Sequence, residues 1–170
     1  MANIVWLGSE NDSECIQMSN GLTDVFISVL VLSGSRFAQT THEKRLIVWL
    51  AEKDQSKVGI GTVGFDICDM PWNVDTFAEN KEFLLMVIEA AKNGEGWEHL
   101  EYAPNSELLF PCLDKLAELI SKIESCKINF GALEEWIAAA NAFDPVVSGF
   151  PKCPKHGALL SCFGCQICNN

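Results

Sequence analysis

The sequence predicts a mainly α fold with minor β: a compact helical body over residues 1–145 and a small zinc-binding tail over 146–170 packed on it. Three observations predict it. Leu109, Leu113, Leu116, Ile120 and Ile123 recur at the spacing of one helix face. Two Thr-x-x-Glu segments, at Thr40 and Thr76, have the form of capping boxes that open helices. Cys153, His156, Cys165 and Cys168 form two short corners near the C-terminus, a pattern of metal ligands.

The elements follow in order. Asn3 to Gly8 is short and apolar (Ile4, Val5, Trp6, Leu7) and reads as an edge strand or a docked N-terminal arm. Ser9 to Asn20 is polar and reads as a loop or as the approach to a helix. Leu22 to Leu32 is nearly all apolar, and periodicity alone does not separate a buried helix from a buried strand there. Helix is the expectation, because Asn20 or Thr23 can cap it and Ser33-Gly34-Ser35 can end it. The Thr40 box opens a helix to about Lys53, with Leu46, Ile47, Trp49 and Leu50 on its apolar face.

Lys57 to Trp72 holds three glycines and a proline and breaks regular structure. After the Thr76 box, Phe77, Leu84, Ile88 and Ala91 share one helix face, and Asn93-Gly94 closes it. Asn105 or Ser106 can cap the next helix, which carries the leucine and isoleucine stripe. Pro111 must lie early in that helix or kink it. A last helix carries Leu133, Trp136, Ile137 and Ala140, and Asp144-Pro145 ends it. Asn141 to Lys152, with two prolines and Ser148-Gly149, reads as a linker between body and tail.

A length of 170 residues favours one main domain with the tail as an appendage. A composition 48% hydrophobic and 21% charged supports a real core and argues against disorder. Val25 to Leu32, the longest apolar stretch, is interrupted by Ser28 and is too short to span a bilayer. Met1 to Gly21 carries Glu10, Asp12 and Glu14 and no Lys or Arg, which is unlike a secretory signal. A cytoplasmic, reducing location is therefore expected.

The formal net charge is -11. Setting aside Lys152 and Lys155 leaves ten basic against 23 acidic residues, or -13, on the body. Such a body repels phosphate backbones, so nucleic acid is not an expected partner. It favours a basic protein partner, besides keeping the chain in solution.

The tail has the most specific chemistry. Zinc takes four soft or borderline donors in a tetrahedron, and thiolate and imidazole suit it best. A two-residue gap lets one tight turn present two ligands, as in Cys153-Pro-Lys-His156 and Cys165-Gln-Ile-Cys168. The residue after each second ligand, Gly157 or Asn169, is of a type that tolerates positive φ. Three thiolates, one neutral imidazole and a dication leave about one negative charge. Lys152 and Lys155 lie beside it, and no acidic residue occurs from Pro151 to Asn170.

Cys162 is a fifth candidate. With Cys165 and Cys168 it matches part of an iron–sulfur run, but the fourth cysteine followed by proline that the run needs does not come after Cys168. Pairing Cys162 with Cys165 would put Gln166 where Gly or Asn is wanted, so Cys162 is left outside the ligand set. A disulfide framework gives the histidine no role. A catalytic zinc keeps an open position, whereas four strong protein donors close the shell. The deaminase pattern fails, because Ala158 stands two residues past His156 and no proline precedes Cys165.

Other motifs carry less. Gly59-Ile-Gly61-Thr-Val-Gly64 matches a dinucleotide-loop pattern. A polar stretch precedes it instead of a hydrophobic strand, and Asp66, Asp69 and Pro71 follow where a helix should begin. It reads instead as a glycine-rich strand, or as a turn that lets Trp72 pack. His42-Glu43 starts like a zinc-protease motif, but Leu46 takes the place of the second histidine. Carboxylates near Asp66 and Asp69 leave room for an enzyme site, with a solvated face as the default.

Glu43-Lys-Arg-Leu-Ile-Val-Trp-Leu, Gly64-Phe65-Asp-Ile, Met70-Pro-Trp72, Tyr102-Ala-Pro-Asn and the closing Cys-Pro-Lys-His-Gly and Gly-Cys-Gln-Ile-Cys-Asn segments span nearly the whole chain. Together they resemble a family of small uncharacterised bacterial proteins, a domain of unknown function. The resemblance implies one fold unit and no activity. The acidic, compact body is also similar to toxin-immunity proteins, an analogy of form alone. The expectation is a structural zinc held by Cys153, His156, Cys165 and Cys168 in a non-enzymatic protein that binds another protein. An immunity or antitoxin-like protein is the first alternative, and a carboxylate enzyme near Asp66 and Asp69 the second.

Overall fold

A computed structural model describes residues 3–8 and 14–170. Asn20–Phe37 forms the helix α1, and it organises everything else. From Phe26 to Ser35 every residue is buried, so neighbours must cover the helix on every side. Thr41–Ala51 (α2), Phe77–Lys92 (α3) and Ser106–Lys122 (α4) pack against it. The fold is mainly α, as the periodicity predicts, with a small sheet at one end. No described helix is long and apolar enough to cross a membrane.

Ser19 caps α1 through its hydroxyl, which accepts the Leu22 amide at 3.2 Å. The helix does not end at Ser33-Gly34-Ser35 but runs on to Phe37. Those small polar residues serve packing. A Cβ on Gly34 would lie 2.2 Å from Cδ1 of Ile47, so glycine lets α2 cross close by. Ser33 donates to the Val29 and Val87 carbonyls at 3.0 and 3.1 Å and so ties α1 to α3.

The capping box at Thr40 is present in full: its hydroxyl accepts the Glu43 amide at 3.2 Å, and the Glu43 carboxylate accepts the Thr40 amide at 3.0 Å. The four apolar positions read on α2 are all buried. The box at Thr76 does not form. Thr76 is the N-cap without a side-chain cap bond, and its hydroxyl lies 3.3 Å from Asn73 Oδ1 and 3.2 Å from Asn80 Oδ1. Asn80 is buried and competes for that hydroxyl. α3 still closes at Asn93, followed by Gly94 at φ 83°. Asn105 caps α4 by accepting the Glu107 amide at 3.0 Å. Pro111 sits in the second turn of α4, and the five-residue stripe is buried.

Asn3–Trp6 (β1) is the central strand of three, not an edge. It pairs antiparallel with Cys15–Met18 (β2) and parallel with Phe65–Asp66 (β3). β2 lies inside the segment read as a polar loop, of which Ser9–Ser13 fall outside the described residues. Only Ile16 and Met18 of β2 face the core, too short an alternation to stand out. Gly64 meets β1 directly: a Cβ there would lie 1.9 Å from the Ile4 carbonyl oxygen. The third glycine of the dinucleotide-like pattern therefore serves close strand approach, and the pattern leads into β3 and a 3-10 turn.

Ala132–Ala139 (α5) is a short helix with no buried residue. It stops at Ala140, before Asp144-Pro145, and Asp144 instead accepts the Asn141 amide in the turn that follows.

Candidate metal centre

The tail folds as two matched corners. In the first, Cys153 N–H donates to Ala158 O and Gly157 N–H to Cys153 O, both at 2.8 Å. In the second, Asn169 N–H donates to Cys165 O at 3.1 Å. The same four-residue bond thus closes both corners. Gly157 has φ 67°, as the first corner requires of the residue after its second ligand. Asn169 does not adopt positive φ. Its side-chain amide donates to Phe163 O at 3.0 Å and holds the second turn in another way.

These corners bring Cys153, His156, Cys165 and Cys168 together, with their donor atoms all within 4.8 Å of one another. His156 Nδ1 lies 3.7 Å from Cys153 Sγ, 3.6 Å from Cys165 Sγ and 3.4 Å from Cys168 Sγ. The Cys153 and Cys168 sulfurs are 3.8 Å apart. All eight cysteines are free thiols. A cluster of three thiols and one imidazole nitrogen around a common centre can hold a metal ion.

The surroundings divide the ligands. Burial opposes the Cys153 thiolate, but the amide hydrogens of His156 and Lys155 and the neighbouring thiols outweigh it and hold the group below the ordinary thiol value. Burial pushes Cys165 up to about 12. Burial, then the Lys155 and His99 charges, holds His156 below the usual imidazole value and so favours the neutral ring that a metal needs. Cys153, His156 and Cys165 are buried and Cys168 is exposed. Cys168 opens on a cleft of about 270 Å³ lined also by Ser28, Glu101, Tyr102 and Lys155.

Cys162 lies outside the cluster. Its thiol faces Glu52 and Asp144, and burial with those charges pushes it up to about 11. Lys152 turns away as well: its ammonium donates to Ser35 O at 2.9 Å, near the C-terminus of α1, where helix carbonyls lack partners.

The tail is held to α1 by residues the sequence reading passed over. Leu159 N–H donates to Ser35 Oγ at 2.8 Å. Gln166, between two ligands, donates from Nε2 to Ser28 Oγ at 3.3 Å. Leu159 and Ala158 are fully buried in the main core. Ser28 and Ser35 are seven residues apart, so they share a face of α1. That spacing of polar side chains in an oily helix was the available signal. His99, at the end of the 3-10 turn Trp97–His99 that follows α3, sets its ring edge-on to His156 at 6.2 Å between centroids.

Asp66 and Asp69 line a separate open cleft of about 590 Å³ with Trp6, Trp49 and Trp136. Trp72 is elsewhere, buried, with its indole N–H on Ile67 O at 2.8 Å. Asp66 Oδ1 accepts the Gly8 and Cys68 amides at 3.0 and 2.9 Å, a structural task. Asp69 accepts from Asn129 Nδ2 at 3.2 Å. Lys53 lines the same cleft, and burial lowers it below the usual ammonium value, while burial raises its chain neighbour Glu52 above the usual carboxylate value.

Compared with protein-family models, with curated proteins and with solved structures, the chain matches none.

Proposed function

We propose that this protein binds one structural zinc ion through Cys153, His156, Cys165 and Cys168, and that it works by binding another protein and not by catalysis. The observation that carries the zinc reading is the spacing of the donors. Tetrahedral zinc with Zn–S near 2.3 Å and Zn–N near 2.0 Å sets sulfurs ~3.8 Å apart and sulfur to nitrogen ~3.5 Å. The cluster has 3.8 Å for one sulfur pair and 3.4 to 3.7 Å for sulfur to Nδ1. Four strong donors leave no open position for substrate or water, and thiolate donation leaves zinc a weak Lewis acid. The ion would fasten a segment too short to make a core of its own. The net charge of -11 supports a basic partner, the logic of an immunity-like protein.

Elemental analysis of purified protein tests the metal, with about one zinc per chain expected. Cobalt(II) substitution tests the closed shell. The expected spectrum is that of a tetrahedral thiolate site, unchanged by added cyanide. A metal-free protein or a cyanide-sensitive spectrum would overturn the reading.

A further inference from the structure

From Ile128 to Val147 the chain carries Glu134, Glu135 and Asp144 and no Lys or Arg. In the same stretch Phe130 is 59% exposed, Phe143 92% and Val147 50%. α5 lies between them, and its own Leu133, Trp136 and Ile137 are only half-covered. Large apolar side chains gathered on one segment, rimmed by acidic groups, mark an interaction surface. The segment is nonetheless anchored. Trp136 Nε1 donates to Glu52 at 2.8 Å, and Asn129 N–H donates to Cys68 O at 2.9 Å.

The inner side of α5 borders the open cleft of Trp6, Trp49, Trp136, Asp66 and Asp69, with Glu135 on its rim. The cleft already seats one cation of the protein's own: Lys53 Nζ stands 3.6 Å from the Trp49 ring centroid. Trp6 and Trp136 are partly exposed. Indole faces beside carboxylates suit a guanidinium, which stacks on a ring and pairs with a carboxylate at once.

We infer that α5 with Phe130, Phe143 and Val147, together with the cleft beside it, is the docking surface for a basic amphipathic segment of a partner protein. Apolar side chains of that segment cover the phenylalanines and Val147, and an arginine enters the cleft toward Asp66 and Asp69. Charge selects this occupant. A second copy of the chain would set like charges against each other, and a polyanion would be repelled. A sugar would also stack on indoles but would leave the phenylalanines bare. The inference deepens the protein-binding reading above and does not depend on the zinc.

The test is a two-dimensional NMR titration of the zinc-loaded full chain. The probe is an 18-residue synthetic amphipathic helix of leucine and arginine; its control has glutamate for arginine. The expected result is that the arginine peptide shifts the indole signals of Trp6 and Trp136 and the amides from 128 to 147, and leaves Trp72 and Trp97 alone. The glutamate peptide shifts nothing. Glu135→Lys and Phe143→Ser, both at exposed positions, should each weaken the arginine peptide by about tenfold. An equal response to both peptides, no response to either, or shifts centred on another face would overturn the surface with zinc still bound. A metal-free protein with this shift map intact would instead overturn the zinc reading alone.

Discussion

The hydroxyl of Ser35 accepts the amide hydrogen of Leu159 at 2.8 Å, across 124 residues of chain. One buried hydrogen bond therefore joins the central helix to the loop between the two metal corners. Ser35 is 1% exposed, so water cannot replace it. Ser35→Ala should leave the Leu159 amide buried and unpaired, at a cost of about 1–3 kcal/mol. The shift of the urea midpoint at constant m-value measures it.

Cys162 and Cys168 have opposite expected roles. Cys168→Ser should lower zinc affinity strongly and free the second corner. Cys162→Ser should leave one zinc per chain, because its thiol points to Glu52 and Asp144. Zinc titration with a competing chelator compares the two. Equal loss in both would put Cys162 in the ligand set.

Gly64→Ala should be among the costliest single changes in the sheet. The added carbon would press on the Ile4 carbonyl oxygen, and neither backbone can retreat without breaking the parallel pairing of β1 and β3. A loss of about 1–3 kcal/mol is expected, the usual range for overpacking. Gly59→Ala meets no atom within 4 Å and pays only for its φ of 81°. Thermal unfolding of both variants checks the order.

Glu52 gives stability a pH dependence of known sign. Burial raises its carboxyl above the unfolded value, so the folded protein binds the proton more tightly than the unfolded chain. Stability from this group is greatest in acid and falls as pH rises through the window between the two values. Glu52→Gln keeps an oxygen to accept from Trp136 and removes the titration. The variant should gain on the parent as pH rises through the upper carboxylate range, and denaturation curves across that range would show it. A constant difference would contradict the assignment.

Much of this was legible in the sequence, for local reasons. The Thr40 box needs only four residues in a row, and the α4 stripe needs only one helix. The metal corners are likewise short turns that carry their own ligands. What escaped were features decided at a distance. Ser33-Gly34-Ser35 has the composition of a helix end, yet close packing by Ile47, a bond from Ser33 to α3 and one from the tail to Ser35 make it helix interior. Thr76 has the letters of a cap, yet buried Asn80 takes its hydroxyl. β2 has two inward side chains, and only its pairing with β1 defines it. The face that joins Ser28 and Ser35 to the tail was present as a seven-residue spacing, but nothing local says what a polar pair on an oily helix is for.

The separation of those partners also sets an order of events on the ribosome. α1 emerges before the tail, with a strip of its surface matched to segments not yet made. More than a hundred residues must follow before Leu159 and Gln166 exist to cover it. Until then the face of this deeply buried helix that bears Ser28 and Ser35 stays open, and it is the last of its faces to be covered.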